Sequence, residues 1–169
     1  MSKPDILSFL NDEFLMPQPE VLEHSTKRES LFIGIPKECA FQEKRVPLVP
    51  EAVALLVSNG HKVYVESNLG ISSSFTDQEY SEAGAKICLN VKKVYEADII
   101  LKVEPPSLEE LDYFKHNQCL ISALQLKTQK AEYFKKLMDK KVTAVAFDYI
   151  KDEEQVFPIV RSMGEIAGT

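Results

Sequence analysis

FIGIPKECAFQEKRVPLVP, residues 32–50, decides the fold of this chain. Phe32, Ile33 and Ile35 make a short apolar run that stops at Pro36, a residue without the N–H that a sheet ladder needs. A polar loop carrying Arg45 follows. Pro50 then stands where a helix would open, since its fixed φ and missing donor suit a first turn. Strand, loop and helix in that order form one half of a βαβ unit. Open α/β sheets bind ligands outside the carboxyl ends of their strands, and this loop leaves such an end. Arg45 is therefore a candidate for binding a carboxylate, because a guanidinium stays charged and offers parallel donors. The other reading of Arg45 is a surface ion pair with Glu43 or Glu38.

Outward from this stretch the same alternation repeats. A helix is predicted over 50–58, closed by Gly60, and a strand over 63–65. Thr76 and Glu79 form a capping box for a helix that stops at Gly84. A short strand at 87–89 and a short helix at 91–95 lead to Ile99, Ile100, Leu101 and Val103, the continuous apolar run of a central strand. Ser107 and Glu110 make a second capping box, before a helix bearing Leu108, Leu111 and Phe114. A strand at 119–124, a helix at 129–139 with Phe134, Leu137 and Met138 on one face, and a strand at 142–147 complete the series. Six strands with interleaved helices and right-handed crossovers predict a doubly wound, mostly parallel α/β sheet of the Rossmann or flavodoxin kind.

Residues 1–30 read differently, mixing an amphipathic patch (Ile6 to Leu15) with prolines and the polar run EHSTKRES. They are taken as an extension that packs on the domain or a partner subunit, or as a tail. Residues 31–160 form the domain. Residues 161–169 begin a helical pattern that stops short, as the start of a linker helix into a further domain would.

The 169 residues leave room for one sizeable domain, and 44% hydrophobic with 27% charged residues is a soluble, globular balance. A formal net charge of −6 argues against a nucleic-acid partner. No apolar run approaches the ~20 residues of a membrane span. The amino terminus, acidic and broken by Pro4, Pro17 and Pro19, does not read as a signal peptide. A cytoplasmic protein without direct membrane contact is expected. Cys39, Cys88 and Cys119 are widely spaced and lie by predicted strands, which suits buried free thiols. Without closely spaced Cys/His pairs, no metal site is expected. His24, His61 and His116 read as surface residues.

Among Gly34, Gly60, Gly70, Gly84, Gly164 and Gly168, no three have the G-x-G-x-x-G spacing that cradles a pyrophosphate. Walker, G-x-S-x-G and H-E-x-x-H patterns are absent too. Spacing alone therefore names no catalytic residue, and the chain reads as half of an active site.

Seven segments taken together (IGIPKE, EKRVPLVPEAV, NGHKVYVE, FTDQEYSEAGAKI, EADIILKVEPP, VTAVAFDYI and MGEIAG) resemble, in order, the amino-terminal domain of alanine dehydrogenases and of the alpha subunit of nicotinamide nucleotide transhydrogenases. The resemblance implies a two-domain oxidoreductase in which this domain supplies the substrate side of a cleft. The other domain would hold most of the NAD. The implied reaction converts L-alanine, NAD and water to pyruvate, ammonium and NADH, with a small amino or oxo acid as partner and a homo-oligomer, dimer or hexamer, as the assembly. The family's substrate-binding arginine falls on Arg45. Its active-site lysine, second in a K-V-K-E-P run, falls on Glu104, while the first lysine is kept as Lys102. Its histidine falls on Gln125. A serine near the cofactor falls on Gly164, beside Met163.

Arg45, Lys102, Glu104 and Gln125 are thus the expected substrate-side residues, and Met163 and Gly164 the expected cofactor-side ones. On a regular strand Lys102 points away from the cleft; only a bulge would turn it inward. Glutamine exchanges no proton near neutral pH, and Glu104 brings negative charge where a carboxylate substrate would meet positive. Three readings stand: an alanine dehydrogenase or close relative, a transhydrogenase alpha subunit, and a noncatalytic binding module on the same fold.

Overall fold

The computed structural model describes residues 30–40 and 42–167, so the amino-terminal extension lies outside the described residues. Six parallel strands run in the order β3-β2-β1-β4-β5-β6. They are β1 Phe32–Ile35, β2 Lys62–Glu66, β3 Lys86–Cys88, β4 Ile99–Leu101, β5 Cys119–Ser122 and β6 Thr143–Ala146. The helices are α1 Pro50–Ser58, α2 Asp77–Glu82, α3 Val91–Val94, α4 Glu110–Tyr113, α5 Ala131–Asp139 and α6 Pro158–Ala167. All strand neighbours pair in parallel, β1 with β2 from Phe32↔Lys62 and with β4 from Ile33↔Ile99. The order reverses between β1 and β4, which makes the crevice above their carboxyl ends the place for a ligand.

The punctuation works as the residues dictate. Pro50 opens α1, and Gly60 behind it takes φ +87°. Both arms of the Thr76 capping box form, and Gly84 follows α2 at φ +91°. An apolar core fills each face of the sheet. Ile33, Ile35, Val63 and Val65 pack with Val53 of α1 and Tyr80 of α2. On the opposite face Ile100 and Leu120 pack with Tyr95, Leu111 of α4, and Tyr133 and Leu137 of α5. Gly34 faces α3 so closely that a Cβ there would overlap the Val94 carbonyl. Gly34→Ala is expected to destabilise the protein by about 2 kcal/mol, because that backbone has nowhere to go; the shift of a urea midpoint measures it.

The structure corrects several boundaries. Leu89 lies beyond β3 and is 91% exposed. β4 closes at Leu101 and β5 at Ser122, shorter than the apolar runs that contain them. Ser107 and Glu110 make both capping-box bonds, yet regular helix starts only at Glu110. Met138 does not share the buried face of α5; Tyr133 and Leu137, one turn apart, do. Cys39 is exposed in the loop after β1, whereas Cys88 is buried and Cys119 half-buried, all three as free thiols. His61 is half-buried, its Nδ1 accepting the Leu31 N–H at 3.3 Å. Among the described residues no helix is long and apolar enough to cross a membrane.

Candidate functional site

The loops after β1 and β4 meet above the reversal point, and a carboxylate joins them. Glu38 Oε1 accepts the Val103 N–H at 2.6 Å, and Oε2 the Glu104 N–H at 3.4 Å. The first loop is held further by the Lys37 N–H donating to Glu66 Oε2 at 2.7 Å, and by Ser73 Oγ donating to the Lys44 carbonyl. These ties set Arg45 opposite Glu104.

Arg45 is engaged on both sides. Its Nε and Nη2 donate to Glu43 Oε1 and Oε2 at 2.8 and 2.5 Å, and Nη2 lies 3.4 Å from Glu104 Oε1. The surface pair with Glu43 therefore exists, and a second carboxylate, 59 residues away, completes it. Gln125 Nε2 donates to Glu104 Oε2 at 2.5 Å. Gln125 lies just past β5 at φ +47°, a left-handed conformation that a residue with a Cβ adopts only when its surroundings hold it there. Glu43, Arg45, Glu104 and Gln125 thus form one polar chain across three loops.

Charges within this chain are unequal. Hydrogen bonds from Arg45 hold the Glu43 carboxyl below its usual value, and Glu43 in turn raises Arg45. Burial and the neighbouring Glu43 charge push Glu104 up, against the pull of Arg45. Of the two carboxyls, Glu104 is the one held above its usual value.

Beside this chain lies a cavity of about 470 Å³. Its wall is mainly apolar and includes Val46, Leu101, Ile121, Phe147 and Met163, with Arg45 at the polar end. It opens where the fold leaves a gap. The core formed with α1 and α2 covers one face of β1 and β2 but reaches only Ile99 and Leu101 of β4. Over β5 on that face, Ile121 is half-exposed, and the loop around Val46 and the start of α6 close the gap from above.

Lys102 borders the cavity, but its ammonium is committed elsewhere. It is 1% exposed, donates to Glu110 Oε1 at 2.7 Å and stands 3.5 Å from Glu38 Oε2. The Tyr95 hydroxyl donates to the same Glu110 oxygen at 3.0 Å. Regular strand alternation has sent Lys102 to the face away from Arg45, with no bulge to return it. Of the expected residues, Arg45, Glu104 and Gln125 therefore come together and Lys102 does not. Met163 lines the cavity. Gly164 next to it is exposed, and a Cβ there would meet nothing within 4 Å, so packing does not impose the glycine.

The sequence offers Glu38 only as a surface partner of Arg45 and Glu110 only as a helix cap; that Glu38 ties the two loops together and Glu110 anchors Lys102 is visible only in the structure. The pairing of Glu43 with Arg45 was legible as a bland alternative; its joining to Glu104 was not, since only the β1–β4 contact creates it.

Residues 34–167 match the family model described as "Alanine dehydrogenase/PNT, N-terminal domain". The chain is 39% identical over 139 residues to an alanine dehydrogenase of Methanococcus maripaludis, covering 82% of this chain and 37% of that protein. It is 39% identical over 138 residues to an alanine dehydrogenase of Bacillus subtilis, covering 82% and 36%. Among solved structures it is similar to an L-alanine dehydrogenase, with TM-score 0.77, 35% identity and coverage of 80% and 37% of the two chains. A transhydrogenase from Sinorhizobium meliloti is also similar, with TM-score 0.64, 30% identity and coverage of 70% and 35%. The chain spans little more than a third of the length of the relatives it matches.

Proposed function

Since the chain belongs to the alanine dehydrogenase/PNT N-terminal domain family, we propose that it is the substrate-binding domain of an NAD-dependent amino-acid dehydrogenase that interconverts an amino acid with its oxo acid and ammonium. The observation that carries this reading is the placement of Arg45 at the mouth of an apolar cavity above the reversal point of the sheet. A guanidinium there anchors a carboxylate, while the apolar wall keeps water from the reacting carbon. Higher identity and TM-score to the L-alanine dehydrogenase than to the transhydrogenase support the dehydrogenase over the transhydrogenase reading.

NAD would supply the hydride acceptor. Among the described residues no strand-to-helix turn has the glycine spacing that a pyrophosphate needs, and Gly60 and Gly84 serve as helix ends. The domain thus suits only the nicotinamide end, at Met163 and the cavity wall, with the rest of NAD held by sequence beyond this domain. Arg45 would hold the substrate carboxylate, with Glu104 and Gln125 beside it on the substrate side. Residues 1–30 and 161–169 are assigned to an extension and to a connection toward the cofactor domain, and the full-length enzyme to a cytoplasmic homo-oligomer.

The full-length protein is expected to oxidise NADH when given pyruvate and ammonium together, and to need both, which absorbance at the nicotinamide band records. Hydride passing from NADH to an NADP analogue, with no demand for ammonium or oxo acid, would instead establish the transhydrogenase reading.

A further inference from the structure

We propose that the acidic stretch at residues 12–23 docks on this chain's own sheet, over the open face of β2 and β3 near the starts of the strands. Strand alternation places Lys62 and Tyr64 of β2 on the face shared with Phe32 and Gly34 of β1, and Lys86 of β3 lies beside Tyr64. α3 packs on this face at Gly34. Nearer the strand starts, both lysines are exposed and both rings half-buried. The Lys62 ammonium lies 4.3 Å from the centre of the Phe32 ring and 4.7 Å from that of Tyr64. Lys86 stands 5.0 Å from the Tyr64 ring and donates to its hydroxyl at 3.3 Å. Two cations thus share a pair of edge-packed rings. Among the described residues neither has a carboxylate partner.

Parallel sheets are ordinarily covered on both faces, and two observations identify the cover here. One is where the chain enters the domain. Ser30 Oγ donates to the Gly60 carbonyl, and the Leu31 carbonyl accepts the Lys62 N–H at 2.8 Å, so the preceding sequence arrives beside Lys62. Seven extended residues span about 23–25 Å, which brings Glu23 within reach of both lysines from Ser30. Lys86 lies two strands from β1, about 10 Å across the sheet. The other observation is charge. Residues 4–26 contain Asp5, Asp12, Glu13, Glu20 and Glu23 but no lysine or arginine. Phe14, Leu15, Val21 and Leu22 in the same stretch offer apolar contact to the two rings. So short a tether gives the chain's own carboxylates a high effective concentration at this face, ahead of acidic segments from other molecules.

The test is carbodiimide coupling of the full-length protein, which joins an amine to a carboxylate only where the two touch, with the linked peptides identified by mass spectrometry. Links from Lys62 or Lys86 to Asp12, Glu13, Glu20 or Glu23 are expected. A mixture of nitrogen-15-labelled and unlabelled protein should show them within one chain. Links only between chains, or none from these lysines to that stretch, overturn the proposal. Amide hydrogen exchange gives a second readout. Residues 12–23 should exchange roughly tenfold more slowly in the unaltered protein than in the Lys62→Glu/Lys86→Glu variant. Adding Glu20→Lys and Glu23→Lys to that variant should restore the protection by reversing both signs. Equal exchange in parent and folded double variant overturns the docking; a variant that fails to fold leaves the cross-links of the unaltered protein to decide.

Discussion

Lys102→Ala is expected to destabilise the fold by about 3–5 kcal/mol, the cost of breaking a buried ion pair from one side. The side chain is 1% exposed and its ammonium lies 2.7 Å from Glu110 and 3.5 Å from Glu38. Removing it leaves two carboxylates facing low dielectric with hydrogen bonds but no cation. Glu110 keeps the Tyr95 hydroxyl and the Ser107 N–H, and Glu38 keeps the Val103 N–H. The midpoint of chemical denaturation measures the loss. Lys102→Met separates charge from packing: it restores most of the volume, so a nearly equal loss identifies the missing charge as the cause. A loss below about 1 kcal/mol would show that the pair only breaks even against its desolvation.

The loss has a pH signature. In the unaltered protein burial pushes the Glu110 carboxyl up, but Lys102 outweighs it and holds the group below its ordinary value. A carboxyl with a depressed folded value contributes stability above the ordinary value and loses it as acid protonates the folded form. Without Lys102 the weaker hydrogen bonds from Ser107 and Tyr95 are left to oppose burial, so the folded value rises and protonation relieves the variant. The gap between variant and parent should therefore narrow as pH falls through the carboxylate range.

Arg45→Ala is expected to raise the KM for the oxo acid by roughly 100-fold, with a smaller change in kcat. A carboxylate anchored by two charge-assisted hydrogen bonds loses about 1.5–3 kcal/mol with each. The substitution also strips Glu43 and Glu104 of their shared cation, leaving two negative groups where the substrate's carboxylate enters. Arg45→Lys should recover only part of the loss, because an ammonium cannot hold Glu43 bidentately and still face a ligand. Steady-state kinetics of the full-length enzyme decide the matter. An unchanged KM would return Arg45 to the role of a surface ion pair.

The sheet was legible because its signals are local and redundant. Pro50, Gly60, the Thr76–Glu79 box and Gly84 each mark an element end by chemistry confined to a few residues, and all four act in the structure as their chemistry dictates. Boundaries failed where the deciding contact is distant. Leu89 extends the apolar run of β3, yet it is left bare beyond the strand end. The Ser107 box closes, but Glu110 answers to Lys102 as well, and the first helical turn is delayed. In the candidate site, Arg45 could be picked from its position after β1, and the side to which Lys102 turns followed from strand alternation. That Glu43, Arg45, Glu104 and Gln125 form one connected chain could not be read, because those contacts run between three separate loops.

Two halves of the site stand on loops that follow β1 and β4, strands far apart in the chain yet central neighbours in the sheet. Arg45 and Glu104, 59 residues apart, meet only when those strands have found each other. Closing so long a loop costs chain entropy before any contact repays it, which makes such pairings slow. Ligand competence should thus emerge late on the folding route, after the β1–α1–β2 unit has formed. The same junction is a single point of failure: any local opening between β1 and β4 disassembles the polar chain while leaving each half of the domain intact.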